Sequence, residues 1–169
     1  MLNITIRNEQ PADVDTIAYV TKSAFESEQF ASHTEQFIVN SLRHAKQLVV
    51  SLVALYEGTI VGHIALSPVG ISSGEPGWYG LGPVSVLPQW QGQGVGTQLI
   101  RSALAQLQRM GARGCVVLGS PDFYGRFGFK ANSSLVYADA PAQYFQAISF
   151  IGDMPLGQVS FHKAFEATE

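Results

Sequence analysis

Apolar and polar positions alternate over residues 2–7, which predicts a short strand buried on one face. The period then changes. Val14, Ile17, Ala18, Thr21 and Phe25 recur at helical spacing, with Pro11 suited to a first helical turn. Asp13 and Asp15 suit the positive end of that helix. A second helix is predicted over 34–45, with Phe37, Ile38, Ser41 and Leu42 on one face. Residues 47–56, rich in valine and leucine, predict a buried strand, and 59–66 run back as its partner. Glu57 and Gly58 between them form a two-residue hairpin turn. Residues 70–77 read as loop. Residues 79–87 give a third strand of this group, disturbed by Gly80, Gly82 and Pro83. Pro83 cannot donate to a ladder, so a bulge or an unpaired stretch is expected there.

Val95, Leu99, Ile100, Ala103, Leu104, Leu107 and Met110 fit a period of about 3.6. They predict a helix that opens near Gly94 and stops at Gly111, with Arg109 in the last turn. The apolar run 115–118 is a short strand after it. Strand, helix and strand in this order imply a parallel pair with a right-handed crossover. Residues 145–151 and 158–165 read as a final pair of strands about a loop at 153–157. A meander followed by strands mixed with helices predicts an α/β protein with a mixed sheet.

Composition narrows the class. A chain of 169 residues is the usual size of one domain, taken here as 1–169, and can bury a core without disulfides or metals. Hydrophobic residues are 46% and charged residues 14%, which excludes disorder. Ten Lys and Arg against thirteen Asp and Glu leave a net charge of −3, so neither a nucleic-acid footprint nor a basic membrane-surface face is expected. Cys115 stands alone, and His33, His44, His63 and His162 show no paired spacing, so no metal site is expected. His63, inside a predicted strand, reads as a satisfied sheet histidine. The longest apolar stretch, 48–56, falls far short of the ~20 residues that span a bilayer. The first residues lack the basic head and long apolar middle of a secretory signal, so a cytoplasmic protein is expected.

The chemistry concentrates in LGPVSVLPQWQGQGVGTQL, residues 81–99. A strand delivers the chain into Gln91, Gly92, Gln93, Gly94, Val95, Gly96 and Thr97, and a strong helix begins inside that run. Glycines let an anion approach the backbone, and the first amides of a helix carry partial positive charge without internal partners. Together they make a phosphate or pyrophosphate cradle. A nucleotide-hydrolysing loop would need a lysine after its last glycine, but Thr97 follows Gly96. The dinucleotide pattern G-x-G-x-x-G is out of register from Gly92.

Gln91, Gly94 and Gly96 match a third pattern, Q/R-x-x-G-x-G/A, and here the sequence resembles the GNAT superfamily of N-acetyltransferases. Phe123, Tyr124, Gly125, Arg126, Phe127, Gly128 and Phe129 are similar to the Y-x-R-F-G-F tail of many bacterial members. The resemblance covers most of the chain. It implies the GNAT fold, with a mixed, mostly antiparallel sheet, a splayed central strand pair and about four helices. It implies acetyl-CoA as co-substrate and no metal. The amides of Gly92, Gly94, Gly96 and Thr97 would hold the pyrophosphate, flanked by Gln91 and Gln93. The run lacks the arginine or lysine of many members, so binding leans on backbone dipoles. The edge at Val84, Ser85 and Val86 would take the pantetheine arm.

The resemblance further implies Tyr124 as the acid that protonates the departing thiolate. Packing against Phe123, Phe127 and Phe129 is its competing role. The base stays open among Glu26, Glu28, Glu35 and a water held by Ser85. Arg126 and Lys130 could approach the phosphates, although exposed charge is the plainer reading, and Cys115 reads as core. Phe30, Trp78, Tyr137 and Tyr144 are expected to shape a pocket for an amine acceptor, and, since many members dimerise, a homodimer is a candidate assembly. The competing function is an acyl-CoA-binding regulatory module without turnover.

Overall fold

The computed structural model describes residues 2–29 and 31–169, so Phe30 lies outside the described residues. In chain order the elements are β1 (Thr5–Asn8), α1 (Val14–Phe25), α2 (Glu35–His44), β2 (Val50–Tyr56), β3 (Thr59–Pro68), β4 (Gly70–Ile71) and β5 (Trp78–Val86). Then come α3 (Val95–Arg109), β6 (Gly114–Leu118), α4 (Pro121–Tyr124), β7 (Leu135–Val136), β8 (Phe145–Ser149) and β9 (Gly157–Ser160). They fall into two compact units. The first holds the chain up to Leu66 with Gly82–Gln106 and Lys163–Glu169; the second holds Ser67–Leu81 and Leu107–His162.

In the first unit β1 and β3 flank β2, both antiparallel to it, with Thr5 opposite Leu55 and Val53 opposite His63. The β2–β3 turn has Glu57 and Gly58 both at positive φ, 49° and 82°, which matches strand twist in a two-residue hairpin. The far side of β3 meets β5, where Leu87 N–H donates to Val61 O at 2.9 Å. Asp13 joins β1 to α1: it accepts from Arg7 Nη1 and from the Gln10 amide, each at 2.7 Å. Helix α1 buries Ile17, Val20, Thr21 and Ala24, so its face is turned from the predicted one, and Val14 and Ala18 are only half-buried. Helix α2 buries Ile38 and Leu42 against Ala164. Helix α3 follows its predicted period as far as Leu107, with Leu99, Ile100, Ala103 and Leu107 fully buried, while Met110 lies past the helix end and is exposed. It lies so close to β3 that a Cβ at Gly62 would stand 3.1 Å from Leu99 Cδ1, Val95 Cγ1 and Ser85 O.

In the second unit β5 pairs parallel with β6 at Trp78, Tyr79 and Gly80, as the strand–helix–strand order predicts. β6 pairs antiparallel with β8, from Gly114 opposite Ser149 to Leu118 opposite Phe145. A small sheet in the order β4-β9-β7 completes it. Ile71, Trp78, Val116, Leu135, Phe145, Ala147 and Val159 form its core. The Trp78 indole fits only because Gly114 carries no side chain.

Three expectations change. The two final strands do not pair with each other: β8 joins β6, and β9 joins β4 and β7. Residues 163–166 curl into a 3-10 turn instead of extending β9, because Ala164 is buried beside Ile38 and Leu42. The stretch read as loop contains β4, and β7 was not foreseen; each is two residues long, too short to carry a period. The irregularity expected at Pro83 is present: the bonds Val69 N–H to Trp78 O and Leu87 N–H to Val61 O are out of step by one residue, the pairing of β5 with β6 ends at Gly80, and Gly82 sits at φ 131° before a cis peptide to Pro83.

Gly62→Ala is expected to destabilise the fold by ~1–3 kcal/mol in urea unfolding, because one of the three neighbours is backbone and cannot swing away. An unchanged midpoint would show that α3 can lift off β3 freely.

Candidate functional site

Past β5 the chain makes a 3-10 turn at Pro88–Trp90 and leaves it with Gln91 extended, at φ −71° and ψ 155°. Gly92 and Gly94 are both left-handed, at φ 74° and 86°, and a Cβ at either would meet nothing within 4 Å. Backbone conformation therefore requires glycine at both, and the space around them is open. The ladder of α3 opens with Gln98 N–H donating to Gly94 O at 3.1 Å. The amides of Val95, Gly96 and Thr97 precede that bond and have no partner within the helix. At Gly96 a Cβ would meet only Val86 Cγ2, at 3.8 Å. With 15 residues behind it, this helix end carries roughly half a positive charge. Residues 81–100 contain no lysine or arginine, so that charge belongs to the backbone. Gln91 and Gln93 brace the turn: Gln91 Nε2 donates to Val86 O at 2.9 Å and Gln93 Nε2 to Gln89 O at 3.2 Å.

Val84, Ser85 and Val86 end β5. Alternation sends the Ser85 side chain inward, 1% exposed, and leaves Val84 and Val86 half-buried on the other face. Ser85 Oγ has no hydrogen-bond partner.

In the second unit Tyr124 ends α4, its amide donating to Ser120 O at 2.9 Å. Its ring meets Phe123 and Phe129 edge-on at 5.0 and 6.0 Å, and Gly119 leaves room for it. Packing is thus one of its roles. Burial, reinforced by nearby Cys115, pushes the Tyr124 phenol up to about 12. It keeps its proton at neutral pH and so has one to give there. Burial also raises the Cys115 thiol well above its ordinary value, consistent with a core residue.

The other candidates separate. Glu26 and Glu28 are exposed. Glu35 is buried, and its Oε2 accepts from the Ser32 amide and hydroxyl at 3.0 Å each, while Oε1 has no partner. Arg126 stacks over Phe123 at 5.5 Å, and the Lys130 side chain is exposed. Trp78 is a core residue of the second unit, 2% exposed, and so does not wall a pocket. Tyr137 does line a cavity of about 490 Å³, with Leu135, Phe145, Ala131 and Gln143 among its neighbours. Among the described residues no group of three or more His, Cys, Asp and Glu could hold a metal ion, and no helix is long and apolar enough to cross a membrane.

Sequence reasoning missed a buried polar chain in the first unit. Arg43 grips Glu9 with two bonds, Nε to Oε2 at 2.7 Å and Nη2 to Oε1 at 2.8 Å. Glu9 Oε1 also accepts a short bond from Ser51 Oγ, and Ser51 Oγ lies 2.8 Å from His63 Nε2. Burial pushes the Glu9 carboxyl up, but the bonds from Arg43 and Ser51 outweigh this and hold it below its ordinary value. An ionised carboxylate only accepts, so the Ser51 proton points to Glu9 and Ser51 Oγ accepts from His63. Nε2 therefore carries the ring proton. Nδ1 is bare, buried and without a partner, so His63 is not the satisfied sheet histidine expected. Burial brings the imidazole down to about 4. The only signal in the sequence is a histidine within an apolar strand; the rest of the polar chain comes from β2, α2 and the residue that follows β1.

The model of the acetyltransferase (GNAT) family matches residues 14–129. A GNAT family acetyltransferase from Brucella melitensis, solved in complex with acetyl-CoA, is 50% identical, with a TM-score of 0.87 over 98% of this chain and 99% of that one. The N-acetyltransferase YhbS of Escherichia coli, solved in complex with CoA, is 30% identical, with a TM-score of 0.89 over 100% and 95%. In sequence, YhbS of strain K12 is 36% identical over 126 residues, 74% of this chain and 72% of that protein.

His63 makes stability depend on pH. Its folded value lies below the ordinary 6.5, so between these values the unfolded chain binds a proton that the folded one refuses. Stability should fall as pH drops from 6.5 to about 4, by up to about 3 kcal/mol. Glu9 and Asp13, both held below their ordinary values, add to the loss at lower pH. Urea unfolding across this range should show the slope, and His63→Gln should flatten its upper part.

Proposed function

The chain belongs to the acetyltransferase (GNAT) family, and from that premise we propose that it moves acetyl from acetyl-CoA directly to a primary amine. One observation carries the proposal. The turn at Gly92 and Gly94 is left-handed, open and followed by the free amides of a long helix, as an anionic pyrophosphate needs. We read 1–169 as one acetyltransferase domain, since the matched residues 14–129 run through both units.

The amides of Gly92, Gly94, Gly96 and Thr97 bind the pyrophosphate, and the backbone at 84–86 receives the pantetheine arm and polarises the thioester carbonyl. The amine attacks that carbonyl within a ternary complex, and CoA leaves as a thiolate. Tyr124 supplies its proton; a buried phenol that stays protonated supports that role. Without a cation in the motif, affinity for the cofactor rests on oriented dipoles and should depend little on salt.

Thermal unfolding with acetyl-CoA, CoA, NAD and ATP tests the cradle. A ligand at 100 times its Kd adds about 2.7 kcal/mol, roughly 5–10 °C at this length. Acetyl-CoA and CoA should raise the midpoint, and NAD and ATP should not. Absence of a shift with either coenzyme form at millimolar concentration would sink the proposal. A panel of amino acids, aminoglycosides and peptide N-termini then seeks the acceptor. With the best amine, Tyr124→Phe should lower kcat by ~10²-fold and leave acetyl-CoA binding intact. Equal turnover would remove Tyr124 from the mechanism.

A further inference from the structure

Of the buried polar atoms of the first unit that have no partner, two stand on neighbouring strands: His63 Nδ1 on β3 and Ser85 Oγ on β5. The bonds Val69 N–H to Trp78 O and Leu87 N–H to Val61 O show the two strands antiparallel, with one extra residue on β5 at the Gly82–Pro83 irregularity, so the register at Ser85 is counted from Leu87. Ser85 O lies 3.1 Å from the Cβ position of Gly62, beside His63. Equivalent pairs recur every second residue, so Ser85 falls opposite His63 with its side chain on the same face, at a Cβ separation of about 5 Å. Leaving such groups unmatched is costly, and a side chain apolar at either position would avoid that cost. The Ser85 backbone belongs to the segment proposed above to meet the thioester. Behind His63, the chain through Ser51 to Glu9 and Arg43 fixes the ring with its proton on Nε2 and its lone pair on Nδ1.

We propose that His63 is a positioning residue for acyl transfer: its Nδ1 and the Ser85 hydroxyl together hold the water that takes the proton from the acceptor amine. The inference rests on the acetyltransferase reading. As the amine nitrogen bonds to the thioester carbon it becomes acidic. Its N–H bond breaks toward the water, and the water passes one of its own protons to Nδ1, where burial opposes the imidazolium and the charge of ionised Glu9 behind Ser51 favours it. The electron pair of the breaking C–S bond leaves with sulfur. The imidazolium keeps its Nε2–H bond to Ser51, whose hydroxyl donates to ionised Glu9, and Arg43 holds Glu9 in place. When product departs, the proton returns to solvent through the same water, and the ring regains its first tautomer.

Ser85→Ala and His63→Gln in the full chain test this. Ser85→Ala deletes an oxygen that has no partner, so the fold should be kept and its unfolding midpoint should not fall. Even so, kcat with the best amine should drop at least ~10-fold, with KM for acetyl-CoA changed less than about twofold. His63→Gln keeps a donor toward Ser51 and loses Nδ1, and the same kcat loss is expected. Nitrogen NMR of the histidine rings gives a readout that needs no amine: acetyl-CoA should move the His63 Nδ1 resonance in the wild type and not in Ser85→Ala. Unchanged kcat in Ser85→Ala, or an Nδ1 resonance that acetyl-CoA leaves in place, would overturn the proposal. If acetyl-CoA raises the unfolding midpoint but no amine is acetylated, the transfer reading fails, and the NMR response alone decides the role of His63.

Discussion

The close approach of α3 to β3 at Gly62 is the constraint on which the first unit depends. Three groups, one of them the Ser85 carbonyl, converge where a side chain would stand. That contact holds Val95 and Leu99 against the sheet and so fixes where α3 begins. The chain must then pass from the last residue of β5 to the first turn of α3 in eight residues, 87–94. It does so through a 3-10 turn and two left-handed glycines. The open helix end at Gly94, Val95 and Gly96 follows from this route. Packing behind the helix and glycine before it together expose the amides.

A different economy governs the face of β3 that carries His63. Buried polar groups are tolerated when bonded, and a charge when paired. Glu9 and Arg43 satisfy each other near the surface, with their side chains 18% and 22% exposed. Ser51 and His63 carry that satisfaction inward. The chain of bonds stops at Nδ1, and the next polar atom, Ser85 Oγ, is equally unmatched. Such a pair is hard to explain as packing, since apolar residues of similar shape would serve the core as well. It is easier to explain at a strand whose backbone has work to do. The second unit shows the opposite solution around Tyr124. There an aromatic cluster and Gly119 enclose the ring, and burial secures the phenolic proton.

Much of this was legible in the sequence, where a residue's role depends on its near neighbours. Glu57 and Gly58 announce their hairpin because a tight turn with positive φ tolerates few residue types. The period from Val95 to Leu107 announces α3, and Gly111 its end, because one helix face meets one core. The family resemblance is read from the glycine spacing after Gln91 and the aromatic tail from Phe123, which are local features for the same reason. Misreadings arose where distant contacts decide. Lys163 to Glu166 extends an apparent strand until Ala164 finds Ile38 and Leu42. β4 and β7 exist only through β9. The buried face of α1 was turned because what it packs against cannot be read from its own period.

By itself, then, the sequence determined the order of the longer strands and helices, the glycine turn, the family and the aromatic setting of Tyr124. These rest on backbone conformation and short-range periodicity, which the residues carry with them. Only the tertiary structure decided that β9 leaves β8 for β4 and β7, that Trp78 is core, and that Glu9, Arg43, Ser51, His63 and Ser85 share one neighbourhood. Their separations along the chain run from 8 to 76 residues, and hydrogen bonds between buried groups follow distance in space, which sequence separation does not encode.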